Sequence, residues 1–273
     1  MRLAPTILLI SSLPACATPP LEERLDEPDV AIPADCAAGA TEIEVNGTVT
    51  DFATGEPVAG ATIDITEAWA STRSFPTNGC RIGTTTTDAT GKFGPLRVNA
   101  LDSSPILAFL VTGAGRAHTI HDKSVGCLLG CYVPSQDIVS PSQELVDEWR
   151  EELFAGGMEY ALNRGLVVYR YHDVEGNPAP GVTPVYERNA LSDDDRALRP
   201  GSEVRFIDVD RQTLADIDQR RTLGAGAALI GGTPDAKGYF RVAGERGADR
   251  WPSLGVIAAT GWIYFESDSL TAQ

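Results

Sequence analysis

A set of turn and strand marks that occurs twice, in one order, constrains this chain more than any other feature. Glu42 to Thr50 alternates, with Ile43, Val45 and Val49 on one face and Glu42, Glu44, Thr48 and Thr50 on the other. That is the period-two pattern of a half-buried strand. A turn follows at Asp51-Phe-Ala-Thr-Gly55-Glu-Pro57, and alternation resumes through Ala61, Ile63 and Ile65. Pro57-Val-Ala-Gly60 then finds a partner in Pro178-Ala-Pro-Gly181, and Asp88-Ala-Thr-Gly-Lys-Phe93 in Asp235-Ala-Lys-Gly-Tyr-Phe240. Gly47-Thr-Val pairs with Gly165-Leu-Val, and Thr112-Gly113 with Thr260-Gly261. Four matches in order predict two homologous β-domains. The second carries about 26 extra residues between its Pro-x-x-Gly and Asp-Ala-x-Gly marks.

The repeated unit resembles the carboxypeptidase-regulatory-like domain, whose pattern runs Gly-x-Val-x-Asp, Gly-x-Pro-hydrophobic-x-Gly-Ala and Thr-Asp-x-x-Gly-x-Phe. The first copy supplies Gly47, Val49, Asp51, Gly55, Pro57, Gly60, Ala61, Thr87, Asp88, Gly91 and Phe93. In the second copy Val182 replaces Ala and Pro234 replaces Thr. The resemblance implies an all-β fold of two tandem prealbumin-like, Ig-like β-sandwich domains with one helix in the connector. The expected divisions are 1–15 signal peptide, 16–40 lipidated cysteine and disordered acidic tether, 41–139 first sandwich, 140–157 helical connector and 158–273 divergent second sandwich. Splitting near Gly156 is expected to leave two separately folding pieces. In the connector, Ser140-Pro141-Ser142-Gln143 reads as a capping box with proline at the first helical position. Leu145, Val146, Trp149, Leu153 and Phe154 form an apolar stripe that packs on its own domain, and Gly156-Gly157 ends the helix.

The amino terminus speaks to location. Arg2 precedes an apolar stretch from Leu3 to Leu13, shorter than the roughly 20 residues of a membrane span. Leu13-Pro14-Ala15-Cys16 resembles a bacterial lipobox, which implies a diacylglycerol-modified, palmitate-bearing Cys16. Two or more acyl chains anchor stably, at about 0.8 kcal/mol per buried methylene. The alternative is a plain secretory signal cut near Ala15 or Ala17, and either way the chain is exported. Ala17 stands where many such lipoproteins carry an inner-membrane-retaining Asp, which favours the outer membrane. From Ala17 to about Ala40 the chain is rich in Pro and acid and lacks any period that could bury a face.

Composition bears on partners. The 273 residues carry 38 acidic and 22 basic side chains, a net charge of −16. With no basic surplus to release counterions, nucleic acid is excluded as a partner. The expected partners are the membrane through the lipid anchor and an envelope protein or glycan.

Chemistry is sparse. With Cys16 lipidated, Cys36, Cys80, Cys127 and Cys131 remain, an even set that in an exported chain reads as two disulfides. Cys36–Cys80 with Cys127–Cys131 is the favoured of three connectivities. His118-Thr-Ile-His121 lies just before Cys127 and Cys131, a weighed zinc alternative whose spacing matches no standard module. Arg116-Ala-His118-Thr-Ile-His121 is also similar to the Arg-Pro-x-His-Ile-His segment of intradiol ring-cleaving dioxygenases, which share the prealbumin-like sandwich and bind iron through two His and two Tyr. Here the imidazoles are one residue further apart, and no Tyr precedes Tyr132. Asp193-Asp194-Asp195 lacks the spaced ligands of a calcium loop. Tyr169, Tyr171 and Trp262 suit a sandwich core, or a sugar-facing surface if exposed. The reading is a non-catalytic envelope lipoprotein, an interaction or scaffolding module with no cofactor and no catalytic residues. Its rivals are a metalloenzyme using His118 and His121 and a carbohydrate- or cell-wall-binding lipoprotein.

Overall fold

The computed structural model describes residues 35–36, 39, 41–68, 80–101, 105–124, 135–156, 158, 165–187, 196–198, 203–208, 210–216, 218–231, 239–257 and 262–269. The first half holds β1 (Thr41–Asp51), β2 (Thr62–Ala68), β3 (Cys80–Thr86), β4 (Lys92–Ala100), β5 (Ile106–Thr112), β6 (Thr119–Ser124) and β7 (Gln136–Ser140). One described helix, α1 (Gln143–Ala155), follows. The second half holds β8 (Leu166–His172), β9 (Thr183–Glu187), β10 (Arg196–Ala197), β11 (Val204–Phe206), β12 (Ala227–Gly231), β13 (Tyr239–Arg246), β14 (Asp249–Ile257) and β15 (Ile263–Ser269).

The all-β expectation holds, and the strands form two sandwich units. In the first, β4-β1-β7 packs on β3-β2-β5-β6; in the second, β10-β9-β13-β14 packs on β11-β12-β8-β15. The two units share a sheet. Ile263, Tyr264 and Phe265 of β15 pair in parallel with Thr119, Ile120 and His121 of β6, so eight strands run continuously as β11-β12-β8-β15-β6-β5-β2-β3. A cut near Gly156 would therefore separate strands of one sheet.

Each unit repeats one wiring scheme. Setting aside β11, which lies in the insertion of the second unit, the first strand pairs antiparallel with the fourth (β1–β4, β8–β12) and parallel with the last (β1–β7, β8–β15). The second pairs with the third and with the next-to-last pair's inner member (β2–β3 and β2–β5, β9–β10 and β9–β13). The turns repeat atom by atom. Thr87 donates its hydroxyl to the Val58 carbonyl and accepts the Ala61 amide; Thr222 donates to Ala179 and accepts Val182. The Gly91 carbonyl accepts the Val49 amide as Gly226 accepts that of Tyr171, with φ of 74° and 62° at the two glycines, a region costly for side-chain-bearing residues.

These contacts re-register the repeat. Pro57-x-x-Gly60 and Pro178-x-x-Gly181 are equivalent, since both prolines bridge back to the first strand and both glycines donate to the threonine carbonyl. The counterpart of Thr87, however, is Thr222 and not Pro234. The Asp88 turn leads into β4, whereas Asp235 to Gly238 lie outside the described residues just ahead of β13, the counterpart of β5. Gly47 matches Tyr169 rather than Gly165, and Thr260-Gly261 lies outside the described residues. The insertion in the second unit is thus little more than half as long as the motif spacing suggests.

Three cores follow. Ile43, Val45, Val49, Ile63, Ile65 and Phe109 fill the first sandwich, and Tyr169, Tyr171, Val204, Phe206, Val242 and Trp251 the second. A third lies under α1, where Leu145, Val146, Trp149 and Leu153 cover Leu166, Val168, Ala227, Leu229, Ile263 and Phe265. With the second sandwich core on one face and α1 on the other, β8 and β12 are buried on both faces, which accounts for the apolar runs 166–169 and 227–230. Ser142, not Pro141, stands at the helix N-cap, its side chain accepting the Leu145 amide at 3.1 Å. Pro141 lies one residue outside because its carbonyl receives the Ala117 amide. The insertion of the second unit clamps the helix from outside, for the Trp149 indole donates to the Gln212 carbonyl at 2.7 Å.

Candidate functional site

His118 and His121 lie at the joint where β6 meets β15. Successive side chains on a strand point to opposite faces, so His118 and His121, three residues apart, cannot share one. The structure places them accordingly. His118 packs on Trp262 at 5.3 Å between ring centroids, on the face that carries the second sandwich core. His121 lies on the other face, stacked on Phe265 at 5.2 Å with an interplanar angle of 8°, its Nε2 2.8 Å from the Val139 carbonyl.

Burial sets the chemistry of His121. Desolvation, reinforced by the positive charge of Arg170, pushes its pKa down to about 3 against the opposing pull of the Val139 carbonyl. The imidazole is therefore neutral, with Nε2 donating to that carbonyl. Two rings on opposite sides of a sheet cannot bind one ion, and no group of three or more metal-ligating side chains exists among the described residues. The residues present thus do not fit the iron centre that the dioxygenase resemblance would require.

Arg116 completes the segment and carries a structural duty invisible in the motif. Both its terminal nitrogens reach Asp51 Oδ2 at 2.7 Å, and Nη2 also donates to the Ser140 carbonyl at 2.7 Å. Asp51 Oδ1 meanwhile accepts the amides of Ala53 and Thr54. Arg116 and Asp51 are each only 16% exposed. Burial draws the arginine pKa down while the Asp51 carboxylate pulls it back up, and the guanidinium stays charged. His121 thus occupies the Val139 carbonyl on the outer side of β7, while the Ser140 carbonyl, shared by Arg116 and the Phe52 amide, faces β1.

The aromatic candidates are interior. Tyr169 and Tyr171 are fully buried, with ring centroids 4.7 Å apart, and Trp262 is buried beside them. Tyr171 donates its hydroxyl to the Ala243 carbonyl at 3.2 Å. None of the three offers a face to a sugar. The third histidine, His172, contributes through its backbone, where its carbonyl accepts the Trp251 indole at 2.7 Å.

At the far end of the eight-stranded sheet, Cys36 and Cys80 form a disulfide with a Cα separation of 4.9 Å. The bond holds the chain ahead of β1 against the edge strand β3. There Asp35 bridges to Arg81, the Cys36 amide donates to the Arg81 carbonyl, and the Arg81 guanidinium pairs with Asp35 at 2.7 Å and buried Asp64 at 3.3 Å. An open recess of about 320 Å³ lies between β3 and β4, lined by Arg81, Ile82, Thr84, Arg97 and Asn99 among others. Its cations are already paired, Arg97 with Glu42 and Glu44. Cys16, Cys127, Cys131 and Asp193 to Asp195 lie outside the described residues.

No protein-family model matches the chain, and no curated protein does. Among solved structures it is similar to the shaft pilin SpaA of Lactobacillus rhamnosus GG, 13% identical over 85% of this chain and 98% of that one, with a TM-score of 0.26. It is also similar to 3-chlorocatechol 1,2-dioxygenase of Rhodococcus opacus 1CP, at 14% identity over 40% of this chain and 63% of the enzyme, TM-score 0.27. Catechol 1,2-dioxygenase of Pseudomonas arvilla C-1 is 22% identical over 33% of this chain and 38% of its own, TM-score 0.22. Likenesses of this size assign no function.

Proposed function

We propose that this chain is a non-catalytic cell-envelope lipoprotein whose two-unit β body serves as an interaction or scaffolding module. One observation carries the non-catalytic part. The side chains that a metalloenzyme would need, His118 and His121, are spent on opposite faces of the shared sheet, one against Trp262 and the other on Phe265 and the Val139 carbonyl. The envelope assignment rests on the sequence Leu13-Pro14-Ala15-Cys16, with lipid on Cys16, residues 16–40 as an acidic tether and the outer membrane as the anchoring surface. No described helix is long and apolar enough to cross a membrane. The partner is an envelope protein or glycan, met by the outside of the body, since Tyr169, Tyr171 and Trp262 are interior.

Two measurements test this reading. Cys16→Ala is expected to move the protein from the membrane to the soluble fraction; unchanged membrane fractionation rejects the lipid anchor. The exported protein, purified without chelator, is expected to carry no stoichiometric metal. About one iron or zinc per chain would reject the non-catalytic reading and direct attention to catechols or to the His-Cys cluster.

A further inference from the structure

The joint between the units has a counterpart that is closed. In the first unit, Val111 and Phe109 of β5 pair with Thr119 and His121 of β6, leaving Ile120 between them. Those three residues of β6 are the ones that accept β15 in parallel. Carrying the register across through β2 and β9, which align Thr62 with Thr183, makes Gly244 and Val242 of β13 the counterparts of Val111 and Phe109. Their partners on β14 are Trp251 and Leu254. Where β6 has one intervening residue, β14 has two, Pro252 and Ser253, and the pairing shifts there. Pro252 has no amide hydrogen to offer a neighbour, and an extra residue bends the strand away from a straight partner. Among the described residues no strand pairs with the outer side of β14.

We infer that the bulge at Pro252 and Ser253 is a stop built into the second unit, closing on β14 the strand-accepting edge that β6 uses to receive β15. Proline and bulges are the means by which exposed edges avoid pairing with other chains. The partner being refused is a second copy of this chain. Within such a copy β15 is flanked on both sides, by β8 and β6, and the outward Val139 carbonyl of β7, the counterpart of β15, is held by His121. Among the edges equivalent to those of the β6–β15 joint, the one left to meet β14 is another β14, and two identical edges meet antiparallel about a two-fold axis, giving a closed dimer rather than a fibre.

The test uses the full chain with Cys16→Ala in every sample, so that lipid adds nothing to the measured mass. The parent is expected to be monomeric by light scattering at micromolar concentrations. Deleting Ser253 together with Pro252→Ile, which restores the spacing of β6, is expected to double the mass and to slow amide exchange along β14. Where circular dichroism shows that the deletion does not fold, Pro252→Thr keeps the bulge and restores the missing N–H, and a concentration-dependent rise in mass is expected from it. A folded deletion variant that stays monomeric overturns the inference. So does a parent that is already dimeric through β14, or, where only the point variant folds, its remaining monomeric.

Discussion

His121 shows how a residue with the look of a ligand is consumed by packing. Its ring stacks on Phe265, donates to Val139 and is held neutral, with a pKa near 3. An unfolded chain would protonate the same imidazole below about pH 6.5. Between these values the unfolded state binds more protons, so stability falls as pH drops from about 6.5 towards 3, by at most about 1.4 kcal/mol per pH unit. His121→Gln is expected to flatten that part of the pH dependence of the urea midpoint relative to the parent. An identical slope in both proteins would mean that His121 is not neutral in the fold. The sequence shows the Arg-x-His-x-x-His spacing but not its use, because the partner atoms are backbone carbonyls of β7. A carbonyl leaves no mark in a list of side chains.

At the scale of elements, the repeat was partly legible. The strand beginning at Thr41 could be read from its alternation, and the Pro-x-x-Gly turns are equivalent in both units. The Asp-x-x-Gly match misled because aspartate and glycine recur at that spacing in unrelated tight turns. What the two units share instead is a threonine hydroxyl that bonds twice and a left-handed glycine four residues on. Thr222-Leu-Gly-Ala-Gly226 keeps both without the Asp or Phe. Each threonine is buried, and its hydroxyl satisfies one amide and one carbonyl. Thr87→Val and Thr222→Val are therefore each expected to cost about 2 kcal/mol in denaturant unfolding. A near-zero cost at Thr222 alone would show that the turns are not equivalent. The helix was legible from its stripe, but its site was not, since the surface it covers comes from β8, β12 and β15.

The whole molecule is governed by the shared sheet. Two sandwiches joined by a linker would unfold in two steps, whereas a sheet running through both couples them. One calorimetric transition is expected for the full chain, and chains cut near Gly156 are expected to lose cooperative unfolding in both halves. Two resolved transitions would show that the β6–β15 pairing contributes little. Sequence periodicity could not reveal the coupling, because a strand reads the same whether its neighbour belongs to its own unit or to the next. Three edges of the body carry their own guard: the disulfide holds chain against β3, His121 takes the outward Val139 carbonyl of β7, and Pro252 interrupts β14.

The position of β15 also sets an order of assembly. It follows every other described strand in the chain, yet it lies in the middle of the eight-stranded sheet, between β8 and β6. During synthesis the first unit emerges early, but the outer edge of its β6 has nothing to pair with until residues 263–265 arrive. Contacts so distant along the chain form late and slowly. A polypeptide stalled or clipped before Trp262 would display that unmated edge, so the interval before β15 emerges is when a chaperone has most to protect.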